Sequence, residues 1–275
     1  MNLKQLNDTA TWDWPENAGE FILEVLCNKK KPEPDRILAA ELAGIGMVMN
    51  DNIANQLLDI IRNSEEPEEL RCGTAIALGP ALDWADTMEF DEYDDEMLSE
   101  KGFDEVKEQL RKIFHDASIP KKVRRRVLEA AVCAPMDWHN RAIQDAYAAK
   151  DHDWSLTAIF AMGYVPGFED LILESLKSED PDIYYEAVCT AGKWGLKEAW
   201  SDIEKIFTEK IDDKPLLLAA IEAAGNMAIH EPAHVLIELS DSDDEEIAEA
   251  AEDALGMAAM LSDNIPDDLL DDDLM

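Results

Sequence analysis

Small and apolar residues return along this chain in a fixed register. Take as anchors Gly44, Gly79, Pro135, Gly163, Gly192, Gly225 and Gly256. Five positions before them stand Ala39, Thr74, Ala130, Ala158, Ala187, Ala220 and Ala251. One position before stand Ala43, Leu78, Ala134, Met162, Ala191, Ala224 and Leu255. Residues spaced in this way share one face of a helix. Alanine on that face lets a second helix come close, and a glycine after it suits the left-handed residue that ends many helices. The pattern predicts a stack of helical repeats with one continuous core.

In chain order, residues 15–29 read as a capping helix carrying Phe21, Ile22, Val25 and Leu26. The cap and a linker occupy 1–33, and the repeats occupy 34–261. Repeat one pairs a helix ending near Ala43 with a second over 52–62. Repeat two ends its first helix at Leu78 and places its second over 104–115, with Val106, Leu110, Ile113 and Phe114 inward. Between them, 81–103 reads as an insertion that projects from the scaffold, with 91–96 exposed to solvent. Loops that depart from a repeat are frequent seats of function. Repeats three to six span 120–150, 152–178, 180–210 and 212–240. A last helix over 244–260 opens on Asp243, Asp244, Glu245 and Glu246, acids suited to a helix N-terminus. The end, 262–275, reads as an acidic tail, with a short acidic and apolar docking segment as the alternative.

Two stretches, Arg36-x-x-Ala39-Ala40-x-x-Ala43-Gly44 and Glu69-Leu70-Arg71-x-x-Thr74-Ala75-x-Ala77-Leu78-Gly79, resemble HEAT repeats. The likeness is nearer to the short bacterial form found in phycobilin-lyase-like repeat proteins. Ser155, Tyr184, Leu217 and Ala248 stand where Arg36 and Arg71 stand, so the arginine ladder of that family stops after the early repeats. The resemblance implies an all-α, right-handed superhelix of about seven helical hairpins behind a capping helix. It implies no activity, because such folds serve scaffolds, adaptors, lyases and glycosylases alike.

Charge narrows the choice of partner. The 275 residues carry 62 acidic and 24 basic side chains, a formal net charge of −38. Naked nucleic acid and anionic membranes are repelled by such a chain, whereas a basic protein surface is attracted. The cysteines Cys27, Cys72, Cys133 and Cys189 form no C-x-x-C pair and read as small buried hydrophobes in a reducing compartment. The first residues lack a long apolar run, so they read as neither signal peptide nor anchor. A cytoplasmic protein is expected.

Candidate chemistry is sparse. His230-Glu231-Pro232-Ala233-His234 satisfies the H-E-x-x-H pattern of zinc proteases. That pattern needs both histidines on one helix face. The repeat frame instead makes Pro232 the first residue of a helix and leaves His230 outside it. Asp241, Asp243, Glu245, Glu249 and Glu252 follow the spacing of a calcium loop, but Glu246 stands where its sharp turn requires glycine. The basic run Lys121, Lys122, Arg124, Arg125 and Arg126 reads as balanced by the acidic insertion. Trp84, Trp138 and Trp194 read as packing across the inter-helix turns.

These readings converge on a non-enzymatic protein-binding scaffold or adaptor without cofactor or metal, whose acidic surface engages a basic partner. A lyase-type chaperone for a prosthetic group and an acidic mimic of DNA are the alternatives. The second helices supply the candidate partner-binding residues Asp51, Asp59, Glu105, Asp145, Glu169, Asp170, Glu198 and Glu231. The insertion adds Asp83, Trp84, Asp91, Asp94 and Asp95.

Overall fold

The computed structural model describes residues 1–45, 48–87, 98–209, 213–227 and 230–263, the side chains of 230–232 and 262–263 excepted. Helices are the only long regular elements among them, and none is long and apolar enough to cross a membrane. The chain divides into two compact units, Met1–Asp145 and Ala146–Met275.

The first unit contains α1 (Leu3–Asn7), α2 (Ala18–Cys27), α3 (Glu33–Ile45), α4 (Asp51–Arg62), α5 (Glu68–Ile76), α6 (Gly79–Thr87), α7 (Glu100–His115), α8 (Lys121–Ala131) and most of α9 (Asp137–Ala148), whose last turn falls past the boundary. Helix α3 packs on α5 and α5 on α8, while α4 packs on α5 and α7. The second unit contains α10 (His152–Met162), α11 (Glu169–Ser175), α12 (Pro181–Lys193), α13 (Trp200–Thr208), α14 (Lys214–Met227), α15 (His230–Ser240) and α16 (Glu245–Asp263). There α10, α12, α14 and α16 form one row, and α11, α13 and α15 pack behind it. Each unit is therefore a stack of helical hairpins, the HEAT-like all-α class that the apolar register predicts.

The small residues hold this stack together. Ala39, Thr74, Ala158, Ala187, Ala220 and Ala251 are fully buried. The anchor glycines have a different job from the one expected. Among the described residues only Gly167 and Gly195 are glycines with a left-handed backbone. Gly44, Gly192 and Gly225 instead permit contact with the next repeat. A Cβ on them would lie 2.8 Å from the Ala77 carbonyl oxygen, 2.6 Å from Ala223 Cα and 2.8 Å from Ala254 Cα.

That contact corrects the register of repeat three. The neighbour each glycine meets precedes the next anchor by two positions: Ala77 before Gly79, Ala223 before Gly225, Ala254 before Gly256. Gly79 meets Ala130, so the third anchor position belongs to Val132 and not to Pro135. Helix starts agree, since the N-caps Pro67, Asp151 and Asp180 all precede their anchors by twelve residues, and Pro120 precedes Val132 by twelve.

The corrected register extends the arginine ladder. Buried Arg36 donates through Nε and Nη2 to the Leu26 carbonyl, at 3.1 and 2.9 Å, and through Nη1 to Glu66 at 2.5 Å. Buried Arg71 donates through Nε to the Ile61 carbonyl at 2.8 Å. Each reaches the carbonyl ten residues earlier, in the last turn of the preceding helix, where carbonyls lack intrahelical partners. Arg124 holds the same place before Val132; hydrogen bonds from Ser118 lower the Asp116 carboxyl at the end of α7, and the Arg124 charge adds to them.

Three further expectations change. The capping helix is shorter than 15–29, and α1 precedes it with Leu3 and Leu6 buried. The start of the segment read as a projecting insertion is helix α6, whose Leu82 and Ala85 are buried in the core. Helix α7 begins at Glu100 and not at 104, because the Ser99 hydroxyl caps it by accepting from Gly102 N–H.

Candidate functional site

Two grooves open on the outward face of the first-helix rows, at equivalent repeat positions. In the first unit, α3, α5 and α8 line one with Ile37, Glu41, Ile45, Glu69, Cys72, Ile76, Lys122 and Arg126. In the second unit, α12, α14 and α16 line a groove of about 700 Å³. Its floor is apolar, made by Pro215, Leu218, Ala219, Ala250 and Ala254, with Tyr185 and Met257 at its edges. Counted back from each anchor, the lining residues recur at ten, seven, six and three positions, and one position beyond. The two faces have one origin: the small row of each first helix turns inward, which leaves these positions outward.

Charge separates the two grooves. In the first unit, Lys122 pairs with Glu69 at 2.5 Å, and Arg126 pairs with Glu129 at 2.5 Å. Acids of α5 and α8 thus meet two members of the basic run, while the acids at 91–96 expected to balance it lie outside the described residues. In the second unit the lining carries Glu222, Glu246, Glu249 and Asp253 and, among the described residues, no basic side chain. Lys214, outside that lining, holds Glu246 at 2.7 Å. Glu222, Glu249 and Asp253 then project their charge over an apolar floor, and low-dielectric walls strengthen such a field.

Those of the residues expected to bind a partner that are described lie elsewhere, and none of them lines either groove. Asp51 is occupied structurally: its carboxylate accepts from Ser99 N–H at 2.9 Å and from the Ser99 hydroxyl at 2.7 Å. Asp59 lies 3.7 Å from Arg62, and Asp145 accepts from Arg141 at 2.9 Å. Asp83, Glu105, Glu169, Asp170 and Glu198 are exposed, with Glu169 accepting from Gly167 N–H. Asp91, Asp94, Asp95 and the Glu231 side chain lie outside the described residues, as does the tail beyond 263.

The other candidates fall into place as follows. Helix α15 begins at His230, so the expectation that this residue stands outside the helix is wrong. Pro232 sits in the first turn, where its missing N–H is tolerated. His234 is exposed, 3.7 Å from Glu238. Of the acids resembling a calcium loop, Glu245, Glu249 and Glu252 belong to α16, which is helical from Glu245, Asp241 and Asp243 precede it, and Asp244 accepts from Glu246 N–H at its start. Trp84 and Trp138 pack against the core of the first unit, and Trp194 donates to the Met162 carbonyl at 2.7 Å. None of the four cysteines forms a disulfide among the described residues. Burial raises the Cys72 and Cys189 thiols to about 11, which disfavours nucleophilic thiolates at neutral pH.

No family model matches the chain, and no curated protein matches it. Solved structures do. The Escherichia coli protein YibA is similar with a TM-score of 0.44 and 18% identity, over 90% of this chain and 84% of that one. Human deoxyhypusine hydroxylase in complex with glycerol is similar with a TM-score of 0.41 and 15% identity, over 94% and 88%. An engineered protein is similar with a TM-score of 0.36 and 15% identity, over 90% and 98%.

Proposed function

We propose that this protein is a non-enzymatic, cytoplasmic scaffold or adaptor that binds a basic protein segment, and that the groove of α12, α14 and α16 is where it does so. The observation that carries the reading is the pairing of an apolar floor with an acidic rim that, among the described residues, holds no basic side chain. Apolar contact supplies affinity there, and the carboxylates select for lysine or arginine and speed encounter. An amphipathic basic helix meets both demands, laying its apolar stripe on Leu218, Ala219 and Ala250. The free cysteines suit a reducing compartment.

The test uses a labelled lysine- and leucine-rich amphipathic peptide and its glutamate-for-lysine counterpart. The basic peptide is expected to bind, with association slowing steeply between 0.05 and about 0.5 M salt as charges are screened. Reversal of Glu249 and Asp253 to lysine together should weaken it by about tenfold or more, while reversal of Glu169 and Asp170 should not. Equal binding of both peptides, or indifference to the groove reversal, would refute the assignment.

A further inference from the structure

Neighbouring first helices of the second unit are joined at their N-termini by a cation set between two carboxylates. Lys214 stands eleven residues before its anchor Gly225, and Asp244 and Glu246 stand twelve and ten before Gly256. The Lys214 ammonium lies 2.8 Å from Asp244 and 2.7 Å from Glu246, and so ties α14 to α16. The same register recurs between α10 and α12. His152 stands eleven before Gly163, and Asp180 and Asp182 stand twelve and ten before Gly192. Here the group between the acids is an imidazole, whose ring nitrogen can ligate a metal ion as an ammonium cannot.

The geometry favours coordination. His152 Nε2 lies 3.2 Å from Asp180 Oδ2 and 3.7 Å from Asp182 Oδ2. All three groups offer a ligand atom within 4.8 Å of the others. Two donors bound to one zinc-sized ion at ~2.1 Å stand roughly 3.0–3.4 Å apart, so the His152–Asp180 spacing already fits and Asp182 has to move inward to join. Asp180 is held for the task. Its Oδ1 accepts from Asp182 N–H at 3.1 Å and Ile183 N–H at 3.2 Å as the cap of α12 and lies 3.4 Å from His152 Nε2, with Oδ2 nearer to the imidazole. The side chains are 47%, 37% and 70% exposed, so an ion can enter and water can complete its shell. Imidazole with carboxylates suits zinc, cobalt or nickel, whereas magnesium and calcium prefer oxygen alone.

We propose that His152, Asp180 and Asp182 bind one divalent first-row transition-metal ion, which fills the place that the Lys214 ammonium holds two helices later and staples α10 to α12. The full chain is titrated with zinc by calorimetry at pH 7.5, with millimolar magnesium present to occupy sites made only of carboxylates. One saturable zinc site per chain is expected, with affinity falling at least tenfold in His152→Ala and a higher Tm when zinc is bound. Cobalt should give a d–d absorption band that the same variant lacks. His152→Lys, which copies the later repeat, should lose zinc yet melt no lower than the metal-free parent, showing that the fold survives. Failure to find a saturable site under magnesium, or unchanged zinc affinity in His152→Ala, overturns the proposal. So does a contact that responds to pH alone and never to zinc.

Discussion

At the scale of single residues, two glycines on the same repeat position have opposite roles. Gly192 lies against Ala223, so a methyl group there would overlap backbone that cannot yield cheaply. Gly256 occupies the equivalent place on α16 and has nothing within 4 Å of a Cβ. Gly192→Ala should therefore lose about 1–3 kcal/mol through overpacking. Gly256→Ala should gain about 0.5–1 kcal/mol, because it removes a flexible residue from a helix interior. Chemical denaturation of both variants checks the opposite signs. His139 offers a second residue-scale test. It is fully buried, its Nδ1 accepts from Met136 N–H at 2.9 Å, and desolvation, with Lys107 nearby, lowers its pKa from 6.5 to about 4. A buried histidine with a depressed pKa stays neutral in the folded chain while the unfolded chain takes up a proton. Its contribution is thus complete above pH 6.5 and declines as pH falls towards 4, by up to about 3 kcal/mol. Urea titrations at intervals from pH 4.5 to 7 should give a shallower pH dependence for His139→Gln than for the parent.

At the scale of elements, α6 shows how a repeat can absorb an extra helix. Helices α5 and α7 remain the pair that follows the repeat, yet α6 packs on α8 and fills core space with Leu82. Leu82→Ala should cost about 2–5 kcal/mol, as a large side chain removed from a fully buried site leaves a cavity. A loss below about 1 kcal/mol, read from the denaturation midpoint and slope, would mean that α6 is an appendage. Much of this element was legible in outline. Gly79 and Pro80 announce a break after Leu78, and the apolar spacing of Leu82 and Ala85 suits one helix face. The surrounding acids hid it, because a short run with two inward residues resembles a polar loop. The groove positions were also present in the sequence, at fixed offsets from each glycine. They carry no apolar signature of their own, since Glu249 and Asp253 look like any solvent-facing acids until α12 and α14 are placed beside them.

At the scale of the whole molecule, the net charge of −38 acts on stability as well as on recognition. Like charges repel more in a compact chain than in an expanded one. Added salt screens that repulsion, the Debye length falling from ~10 Å at 0.1 M to ~3 Å at 1 M. Sodium chloride should accordingly raise the Tm over this range, even though it weakens exposed pairs such as Lys122–Glu69 and Arg141–Asp145. A Tm that falls with salt would show that the ion pairs outweigh the repulsion. The same screening should weaken capture of a basic peptide, so stability and binding are expected to move in opposite directions as salt rises.

The sequence by itself determined the helical class, the order of the repeats and the inward row of small residues, because helix periodicity and burial are written locally. It also contained the true register of repeat three: twelve residues separate Pro67 from Gly79, and twelve beyond Pro120 is Val132. Pro135 drew attention only because it imitates a helix-ending glycine. The tertiary structure alone decided what the glycines are for, since a close approach is a property of two helices and a left-handed turn is a property of one. It decided as well which of so many acids come together. Asp51 is held by Ser99, while Glu222, Glu249 and Asp253 converge from neighbouring helices on one apolar groove. Convergence across repeats some thirty residues apart depends on the packing distance between helices, which no single helix encodes.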